Sequence, residues 1–493
     1  MKNVIVIGSG IAGLASSIRL AIKGYDVKVF EVNSYPGGKI SSIKMDGFRF
    51  DGGPPLLTMP HYITEIFELA GENPNNYFKY KKKEISCVYF WDDGTKFIAY
   101  SDSEKFATEA SKTFNEPKEK INKYFKRAKK KYDLIASIFL EKSLHKIQTY
   151  LSFKILKSLF QLRIFEIQKS LNQANSDSFK SKHLIQFFNR YATYNGSNPY
   201  QTPGIMSVIQ HLEKNYGTYV AEKGMFSIAE SLFELAKKVG VKFEFETEID
   251  QIIIDSNKKV RGVKSKEKIY NADIVISNMD VYYTYNKLIK NIKIPSSIIN
   301  QERSSSAVIF YWGVKKTNKE LDLHNIFFSK DYKSEFKSIF KDKMVSEDPT
   351  IYINITSKEI PLDAPKGCEN WYVMINTPPD YGQDWSIIVK NLRSIVIKKL
   401  SNQLEVDLEK MIVSEKIITP RIIQKKSKSY MGALYGTSSN NLFSAFLRHP
   451  NFSNRVKNLY FCGGSVHPGG GIPLCLLSAK IVDDLIPNSQ NEL

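Results

Sequence analysis

The stretch KNVIVIGSGIAGLASSIRLAIKGYDVKVFE, residues 2–31, decides the fold of this chain. Residues 2–7 form a short run rich in Val and Ile, which predicts a strand. The turn GSGIAG at 8–13 interrupts it, and apolar residues at helical spacing then predict a helix that ends at Gly24. Residues 27–30 predict a second strand, which ends at Glu31. A strand, a glycine turn, a helix and a second strand are typical of an α/β fold with a parallel sheet.

Each glycine of the turn has a mechanical reason in a dinucleotide-binding site. Gly8 permits a tight turn, Gly10 lets the backbone approach a pyrophosphate, and Gly13 lets the helix pack closely on the strand. The helix N-terminus, which includes Ala12, offers free N–H groups and a partial positive charge to phosphates. Glu31, 23 residues after Gly8, is placed to accept hydrogen bonds from ribose hydroxyls. A plain glycine-rich turn is the alternative.

Two segments beyond Glu31 favour FAD over NAD. Gly37, Gly38 and Lys39 place two glycines beside a cation, which suits a second loop folded over the pyrophosphate. The segment FRFDGGP, residues 48–54, alternates between apolar and polar residues and stops at Gly-Gly-Pro. It therefore predicts a strand that runs into a loop lining the site.

The C-terminal segment NLYFCGGSVHPGGGIPL, residues 458–474, is the most informative motif after the first. It predicts a strand ending at Gly463 and Gly464, a glycine-rich loop, and an apolar helix that begins near Pro473. Such a loop places backbone N–H groups beside a polar ring or a phosphate chain. His467 is a weak candidate for a catalytic residue, and a ring that packs beside the cofactor is the favoured interpretation.

With these motifs the chain resembles the flavin amine oxidase-like proteins and, more narrowly, the phytoene desaturase family of bacterial carotenoid desaturases. Residues 474–480 and 191–200 look most like the branch that desaturates C3–C4 of 1-hydroxylated carotenoids. The resemblance implies FAD as the cofactor, with Ile249 and Ile472 among the residues that bind it. The family usually has Arg where this chain has Lys39, so the cation is kept but bidentate contact with phosphate is not.

The resemblance also implies an architecture. It is an α/β fold with a Rossmann-type FAD-binding domain made of discontinuous segments, a mixed-sheet substrate domain and a helical membrane-associating insertion. The first FAD-binding segment and the start of the substrate domain are predicted at 1–100, and the helical insertion at 101–200. The predicted boundaries that follow are 201–280 for the return to the FAD-binding domain, 281–450 for the substrate domain, and 451–493 for the final FAD-binding segment.

The function that the resemblance implies is FAD-dependent desaturation of a carotenoid, with C3–C4 of a 1-hydroxylated carotenoid favoured. Hydride transfer to the flavin leaves an allylic cation, and loss of a neighbouring proton completes the double bond. No Ser/His/Asp, metal-binding or paired-carboxylate pattern is visible, and this scheme needs none. The reduced flavin would pass its electrons to oxygen or to a quinone.

Several alternatives stay open. Within the family they are a phytoene desaturase that makes lycopene and a related isomerase or saturase. A flavin amine oxidase would share the nucleotide site but lacks the C-terminal signature. A non-enzymatic basic binding protein would explain the net charge of +19, but it leaves both glycine loops unexplained.

Length and composition indicate how many lobes the chain forms and which cellular compartment suits it. A chain of 493 residues exceeds one ordinary core, so two or three lobes are expected. Its four Cys show no paired short spacing, which fits a reducing compartment and no structural zinc. No signal region and no run of about 18 uncharged apolar residues are present, so no spanning helix is expected. We expect a cytoplasmic protein with no nucleic-acid partner, associated peripherally with the inner face of the membrane.

The membrane prediction rests on residues 118–169, which hold 14 Lys+Arg against 4 Asp+Glu, a net charge of +10. Apolar side chains recur there at helical spacing, and Lys and Arg lie between them. This pattern is typical of a basic amphipathic helix on an anionic bilayer. An ordinary helix with one face in the core is the alternative. The apolar residues are Leu144, Ile147, Leu151, Ile155, Leu159 and Leu162, and the basic ones are Lys142, Lys146, Lys154, Lys157 and Arg163.

The ring-rich segment YATYNGSNPY, residues 191–200, either lines an apolar tunnel or forms a surface loop. A buried hydroxyl without a partner costs about 1–3 kcal/mol, so a hydroxylated substrate end needs one. Met374 faces either substrate or, as favoured, the core. The candidates for the hydroxyl partner are Tyr194, Asn195, Ser197 and Asn198.

The remaining elements are predicted from local pattern. Gly224 and Gly240 bound a helix, and a hairpin joins two strands at 252–254 and 260–263. Other strands are expected at 241–249, 272–278, 307–312 and 371–375.

Overall fold

The strand–turn–helix–strand unit lies at the centre of a five-stranded parallel sheet. The computed structural model describes residues 2–150, 165–290 and 292–489. The predicted α/β class is confirmed, because each strand of this sheet runs parallel to its neighbours. In spatial order the strands are Leu459–Phe461, Ile274–Ser277, Asn3–Ile7, Asp26–Phe30 and Lys242–Glu244.

The two faces of the parallel sheet are covered differently. Val4 and Val6 pack in a core shared with the helices Ile11–Ile22, Phe226–Lys238 and Ile472–Leu485. Ile5 and Ile7 belong to the opposite core, which includes the antiparallel three-stranded sheet. Both faces are apolar because a central parallel strand is buried on both sides. The three-stranded sheet consists of Gln251–Ile254, Val260–Ser265 and Lys268–Asn271.

A second, seven-stranded sheet is mixed. All of its neighbouring strands are antiparallel except His324–Phe327 and Ile85–Phe90, which are parallel. The strands predicted at 307–312 and 371–375 are confirmed as its neighbouring central members. The strand order is Ile412–Ile418, Ser306–Val314, Glu369–Thr377, Ile351–Ile355, His324–Phe327, Ile85–Phe90 and Lys96–Tyr100.

Two small antiparallel pairs complete the strands. Ser41–Met45 pairs with Phe48–Gly52, as the alternation at 48–54 predicts, and Tyr80–Lys82 pairs with Tyr219–Ala221. The other α-helices of four or more residues in the described part of the chain are His61–Leu69, Ser103–Phe114, Lys118–Phe139, Ile147–Tyr150, Leu171–Ser176, Lys182–Asn189, Val208–Tyr216, Ser296–Ile299, Tyr332–Lys337, Trp385–Leu404, Leu408–Met411, Pro420–Ser427 and Leu442–Phe446.

The strand predicted at 241–249 is largely wrong. Only Lys242–Glu244 is a strand. Glu31 N donates to Glu244 O, and Thr247 N then donates to Glu31 O, so the chain leaves the sheet to wrap around the end of the neighbouring strand. The local pattern could not show this, because the contact joins residues that are far apart in sequence. The hairpin around 255–258 is confirmed.

The region 101–190 is mostly helical where it is described. The residues Leu151, Lys154, Ile155, Lys157, Leu159, Leu162 and Arg163 of the predicted amphipathic helix lie outside the described residues. Lys131 departs from the predicted solvent-facing pattern. It is fully buried, pairs with Glu166 and donates to Ser207 Oγ over 2.7 Å. Across residues 2–150, 165–290 and 292–489, no helix combines the length and apolarity needed to cross a bilayer.

Candidate cofactor and substrate cavity

One cavity of about 770 Å³ opens at the carboxyl ends of the parallel strands. Ile7, Glu31, Asn278 and Gly463 line it, and each follows or ends a different strand of that sheet. Open α/β sheets bind ligands at this edge. The sheet therefore brings together the N-terminal turn and the C-terminal glycine loop, which are more than 400 residues apart in the sequence.

The first glycine turn is as crowded as its sequence predicts. Gly8 has a φ of +95°, and a Cβ atom on Gly13 would lie 2.1 Å from the Gly8 carbonyl oxygen. The helix Ile11–Ile22 begins at this turn, and among the described residues no side chain caps it. Ile11 and Ala12 line the cavity. The free N–H groups and the dipole of the first helical turn therefore suit a negatively charged group.

Asn278 is a site residue that the sequence did not single out. Its Nδ2 donates to Cys462 O over 3.1 Å, which ties the strand Leu459–Phe461 to the neighbouring strand Ile274–Ser277. A Cβ atom on Gly10 would lie 2.5 Å from Asn278 Oδ1, and one on Gly463 would lie 2.6 Å from Asn278 Nδ2. The N-terminal turn at Gly10 and the C-terminal loop at Gly463 therefore both approach the same side-chain amide. Only its position after a buried strand marks it in the sequence, because strand order is not local information.

Glu31 is buried and lines the cavity, held by donors from two directions. Ser9 N and Ser9 Oγ each donate to Oε2 over 2.8 Å. Asn33 N and Asn33 Nδ2 donate to Oε1 over 2.9 and 2.8 Å. The carboxylate is therefore oriented by the backbone on both sides, at the end of the second strand.

The second glycine loop folds over the first. A Cβ atom on Gly38 would lie 3.1 Å from Gly10 Cα, and Gly37 N donates to Ser9 O over 2.9 Å. Lys39 lines the cavity, and its Nζ donates to Leu434 O over 2.6 Å and to Ala433 O over 3.3 Å. Burial lowers the Lys39 pKa, and Asp280 opposes that shift. The cation thus joins this loop to residues 433–434.

The C-terminal loop forms the opposite wall. Gly463, Gly464 and Ile472 all line the cavity, and the helix Ile472–Leu485 begins there, as predicted. Arg448, which the sequence did not single out, donates from Nη1 to Tyr435 O over 2.7 Å and to Gly464 O over 3.2 Å. Burial lowers its pKa to about 10. Arg448 therefore fixes the loop while remaining charged at neutral pH.

His467 lines the cavity but is buried and engaged. Its Nε2 lies 3.0 Å from Lys142 O, an acceptor, so the proton is on Nε2. Burial lowers the His467 pKa to about 4. A ring whose pKa lies this far below neutral stays uncharged near pH 7 and transfers protons poorly. This supports packing as the role of His467. Ile249 is also buried at the cavity edge, between Glu248 and Asp250, which both line it.

Much of the remaining cavity lining is apolar and aromatic. Met374 is half-buried and lines it, so it faces the cavity as well as the core. Tyr194 and Asn195 line it, whereas Asn198 bonds to Gln201, Tyr200 and Asn440 within its own surroundings. Ser197 Oγ likewise bonds within the protein, to Asn195 O and Ser439 N. Other apolar and aromatic lining residues are Tyr132, Ile205, Met206, Ile209, Leu212, Ile309, Tyr311 and Tyr372.

Comparison with known proteins identifies the family. The sequence model of flavin containing amine oxidoreductases matches residues 11–307, more than half of the chain. The chain belongs to the flavin-containing amine oxidoreductase family. Cyclohexylamine oxidase from Brevibacterium oxydans has the same fold, with a TM-score of 0.61 over 98% of each chain at 14% identity. The predicted flavin cofactor, FAD, and the predicted oxidoreductase class are confirmed at this level.

Two curated relatives narrow the branch. The chain is 54% identical to a 1-hydroxycarotenoid 3,4-desaturase from Flavobacterium sp. over 489 residues, which cover 99% of this chain and 100% of the relative. It is 32% identical to a 4,4'-diapolycopene oxygenase from Methylomonas sp., over 98% of both chains. The resemblance to the carotenoid desaturases, stated from the motifs, is therefore confirmed.

The cavity fits a flavin dinucleotide. An uncapped helix N-terminus, a second uncapped helix at Ile472 and a fixed carboxylate are arranged around a cradle of glycines. Within the described part of the chain, no group of three or more His, Cys, Asp or Glu side chains is placed to hold a metal ion.

We expect Asn278→Asp to loosen both glycine loops. The new carboxylate oxygen would face Cys462 O in place of a donor, and a buried acceptor without a partner costs about 1–3 kcal/mol. Bound FAD, measured by absorbance after gel filtration, should fall together with the melting temperature. Asn458→Asp is the matched control, because Asn458 Nδ2 also donates to a backbone carbonyl, Asp273 O, outside the cavity. Equal FAD content in both variants would contradict the central role of Asn278.

Proposed function

We propose that this protein is an FAD-dependent carotenoid desaturase that introduces the C3–C4 double bond of a 1-hydroxylated carotenoid. The observation that carries the proposal is the full-length similarity at 54% identity to a relative of that activity. A single cavity that joins a dinucleotide cradle to an apolar, ring-lined pocket supports it. A long apolar polyene needs such a pocket, because burial of apolar surface supplies its binding free energy.

We assign the FAD contacts as follows. The turn 8–13, with its helix N-terminus, faces the pyrophosphate, and Glu31 accepts from the ribose. The loop 37–39 covers the pyrophosphate from the other side, and Ile249 lies beside the adenine. Gly463, Gly464 and Ile472 hold the ring. On this assignment the Rossmann-type FAD-binding domain comprises the segments 1–100, which also begin the substrate domain, 201–280 and 451–493, while 281–450 forms most of the substrate domain.

The chain has little chemistry of its own to perform in this reaction. When bound, FAD supplies the hydride acceptor, and the protein supplies binding and orientation. The rings and aliphatic side chains around Tyr311 and Met374 exclude water from the reacting carbons. Lys39 and Arg448 are bonded to backbone carbonyls and hold the loops beside the ring. The electron acceptor that reoxidises the reduced cofactor is oxygen or a quinone.

Glu31→Ala tests the cofactor assignment. A hydrogen bond to a charged group contributes about 1.5–3 kcal/mol, so FAD affinity should fall roughly tenfold or more. The variant also leaves the Ser9 and Asn33 donors without their acceptor, so the free energy of unfolding of the apoprotein is measured beside FAD retention. Glu244→Ala is the matched control, since Glu244 ends the neighbouring strand outside the cavity lining and pairs with Lys28. Unchanged FAD retention in Glu31→Ala would contradict the assignment of Glu31 to the ribose of FAD.

The substrate is tested by paired feeding. Cells that express this protein receive either phytoene or a 1-hydroxylated carotene, and extracted pigments are read by absorption and mass. We expect the hydroxylated pigment to lose two hydrogens and absorb at longer wavelength, because one conjugated double bond is added. Cells carrying the empty vector are the control. Lycopene from phytoene, with the hydroxylated pigment untouched, would overturn the C3–C4 assignment but leave a flavin desaturase.

Association with the inner face of the membrane is part of the proposal, because the substrate is a lipid. Helix Leu442–Phe446 connects the surface to the cavity: Ala445 and Phe446 line the cavity, and Phe443 is 75% exposed. Phe139 packs against Phe446, with ring centroids 5.0 Å apart, at the end of the basic helix Lys118–Phe139. The exposed basic side chains of this helix and of the segment that follows it include Lys120, Lys123, Lys126, Lys129, Lys130, Lys142 and Lys146.

These lysines and the exposed apolar helix complement an anionic bilayer. Each basic residue close to such a surface contributes about 1 kcal/mol, and burying one large apolar side chain adds about 1.5–3 kcal/mol. The charges attract the protein to the membrane, and Phe443 inserts beside the cavity. The helical insertion 101–200 would then serve membrane association, with the carotenoid passing from lipid along Phe139 and Phe446.

Vesicle co-sedimentation tests this arrangement. Binding to vesicles with anionic lipid should fall with added salt and in neutral vesicles. Phe443→Asp should weaken binding about tenfold, in line with the loss of one buried ring. Leu362→Asp is the matched control, because Leu362 is 92% exposed and does not line the cavity. Equal loss in both variants, or full binding to neutral vesicles at high salt, would contradict the proposed docking face.

A further inference from the structure

Tyr194 and Asn195 form a polar corner in the largely apolar part of the cavity. Both residues belong to the 3-10 helix Arg190–Asn195, and both line the cavity. Among the described residues, the side-chain amide of Asn195 has no hydrogen-bond partner. Because Asn195 lines the cavity, its amide is placed to bond to a ligand there. The corner therefore offers one donor and one acceptor site to a bound molecule.

A buried ionic cluster fixes the direction of the Tyr194 hydroxyl. Tyr194 donates to Glu213 Oε2, and Tyr191 donates to Glu213 Oε1 over 3.1 Å. Arg190 Nη2 lies 3.6 Å from Glu213 Oε2, and the Arg190 guanidinium lies 5.2 Å from the centre of the Tyr194 ring. Both Arg190 and Glu213 are buried. This arrangement compensates the carboxylate charge and leaves Glu213 to accept from both tyrosines.

Because the Tyr194 O–H donates to Glu213, a ligand that reaches its oxygen meets only lone pairs. It is therefore an acceptor for a ligand O–H group, and it cannot serve as a second donor. Burial raises the pKa of Tyr194 well above its usual value, with the negative charge of Glu213 as the next cause. The hydroxyl stays protonated, so its direction holds across physiological pH. The Asn195 amide can donate to the same ligand oxygen.

The polar corner lies next to the C-terminal glycine loop. Gly196, the residue after Asn195, approaches one edge of the Tyr435 ring so closely that a Cβ atom would lie 2.8 Å from Cδ2. Gly470 approaches the opposite edge, where a Cβ atom would lie 2.9 Å from Cδ1. The Tyr435 ring is thus held between the two glycines. Asn195 is one residue away from this contact, on the cavity side.

This position matches the geometry of the proposed reaction. In a 1-hydroxylated carotenoid, the carbon that bears the hydroxyl is two bonds from C3. A group that binds the hydroxyl must therefore lie beside the reacting bond and the flavin, and not at the far end of the cavity. The corner meets this requirement, since it abuts the loop assigned to the cofactor ring.

We infer that Tyr194 and Asn195 bind the C1 hydroxyl of the substrate, and that Glu213 and Arg190 are positioning residues that keep Tyr194 in its acceptor orientation. The inference rests on the proposed function and deepens it by naming what selects the hydroxylated end. A substrate that lacks the hydroxyl leaves both groups unpaired, and a site built to bond a hydroxyl rejects such an analogue strongly. The same contact sets which bond faces the flavin.

The test compares two substrates with purified, FAD-loaded protein in lipid vesicles: a 1-hydroxylated carotene and the same carotene without the hydroxyl. The wild type should prefer the hydroxylated substrate. Tyr194→Phe should lower the ratio of the two rates about tenfold, because one hydrogen bond to the substrate hydroxyl is lost. Asn195→Ala should lower the ratio as well. Tyr191→Phe is the matched control, because Tyr191 also donates to Glu213 but does not line the cavity.

A selectivity loss in Tyr194→Phe and Asn195→Ala, with Tyr191→Phe near wild type, supports the inference. Unchanged selectivity in both cavity variants overturns it while the desaturase proposal stands. Equal losses in Tyr191→Phe and Tyr194→Phe also overturn it, since the cluster would then act only as structure. If Tyr194→Phe loses FAD or unfolds, Asn195→Ala alone decides. A wild type that converts neither carotene overturns the proposed function, and the inference with it.

Discussion

The close approach of both glycine loops to Asn278 is the constraint on which the rest of the structure depends. Gly10 and Gly463 meet the same amide from two sides, and Gly13 packs against the Gly8 carbonyl. Overpacking a core by even one methyl group costs about 1–3 kcal/mol, so a side chain at these positions would push the first helix or the C-terminal strand away from the sheet. The carboxyl edge of the sheet could then no longer carry one continuous cavity.

Three charged side chains that line the cavity are hydrogen-bonded within the protein. Glu31 is satisfied by four donors from Ser9 and Asn33, and Lys39 and Arg448 are bonded to backbone carbonyls. Burying a charge is costly unless it is hydrogen-bonded or paired. These bonds meet that cost before any ligand arrives, so the site is preorganised and need not rearrange when a dinucleotide binds. The uncapped helix N-terminus is the part left for the ligand to satisfy.

The local sequence pattern correctly predicted the strands, turns and helices that depend on residues close together in the sequence. The first strand, turn and helix, the hairpin after Gln251, and the C-terminal strand, loop and helix all follow from periodicity and glycine placement. The failures have a common cause. Asn278, Arg448 and Glu213 act through partners far away in sequence, and a charged residue such as Lys131 can be buried when Glu166 and Ser207 lie near it. The spacing of residues along the sequence reveals neither the order of strands in a sheet nor such long-range pairings.

The two curated relatives show where the outcome of the reaction must be decided. A desaturase and an oxygenase both align with nearly the whole chain, at 54% and 32% identity. The glycine loops serve the cofactor in any such enzyme, so they cannot by themselves choose between outcomes or between substrate ends. In this chain Tyr194 and Asn195, with the buried carboxylate of Glu213 behind Tyr194, place polar groups in the largely apolar wall beside the C-terminal glycine loop. On the inference drawn above, these groups favour a substrate end that can bond to them, because leaving polar groups unpaired in an apolar pocket is unfavourable.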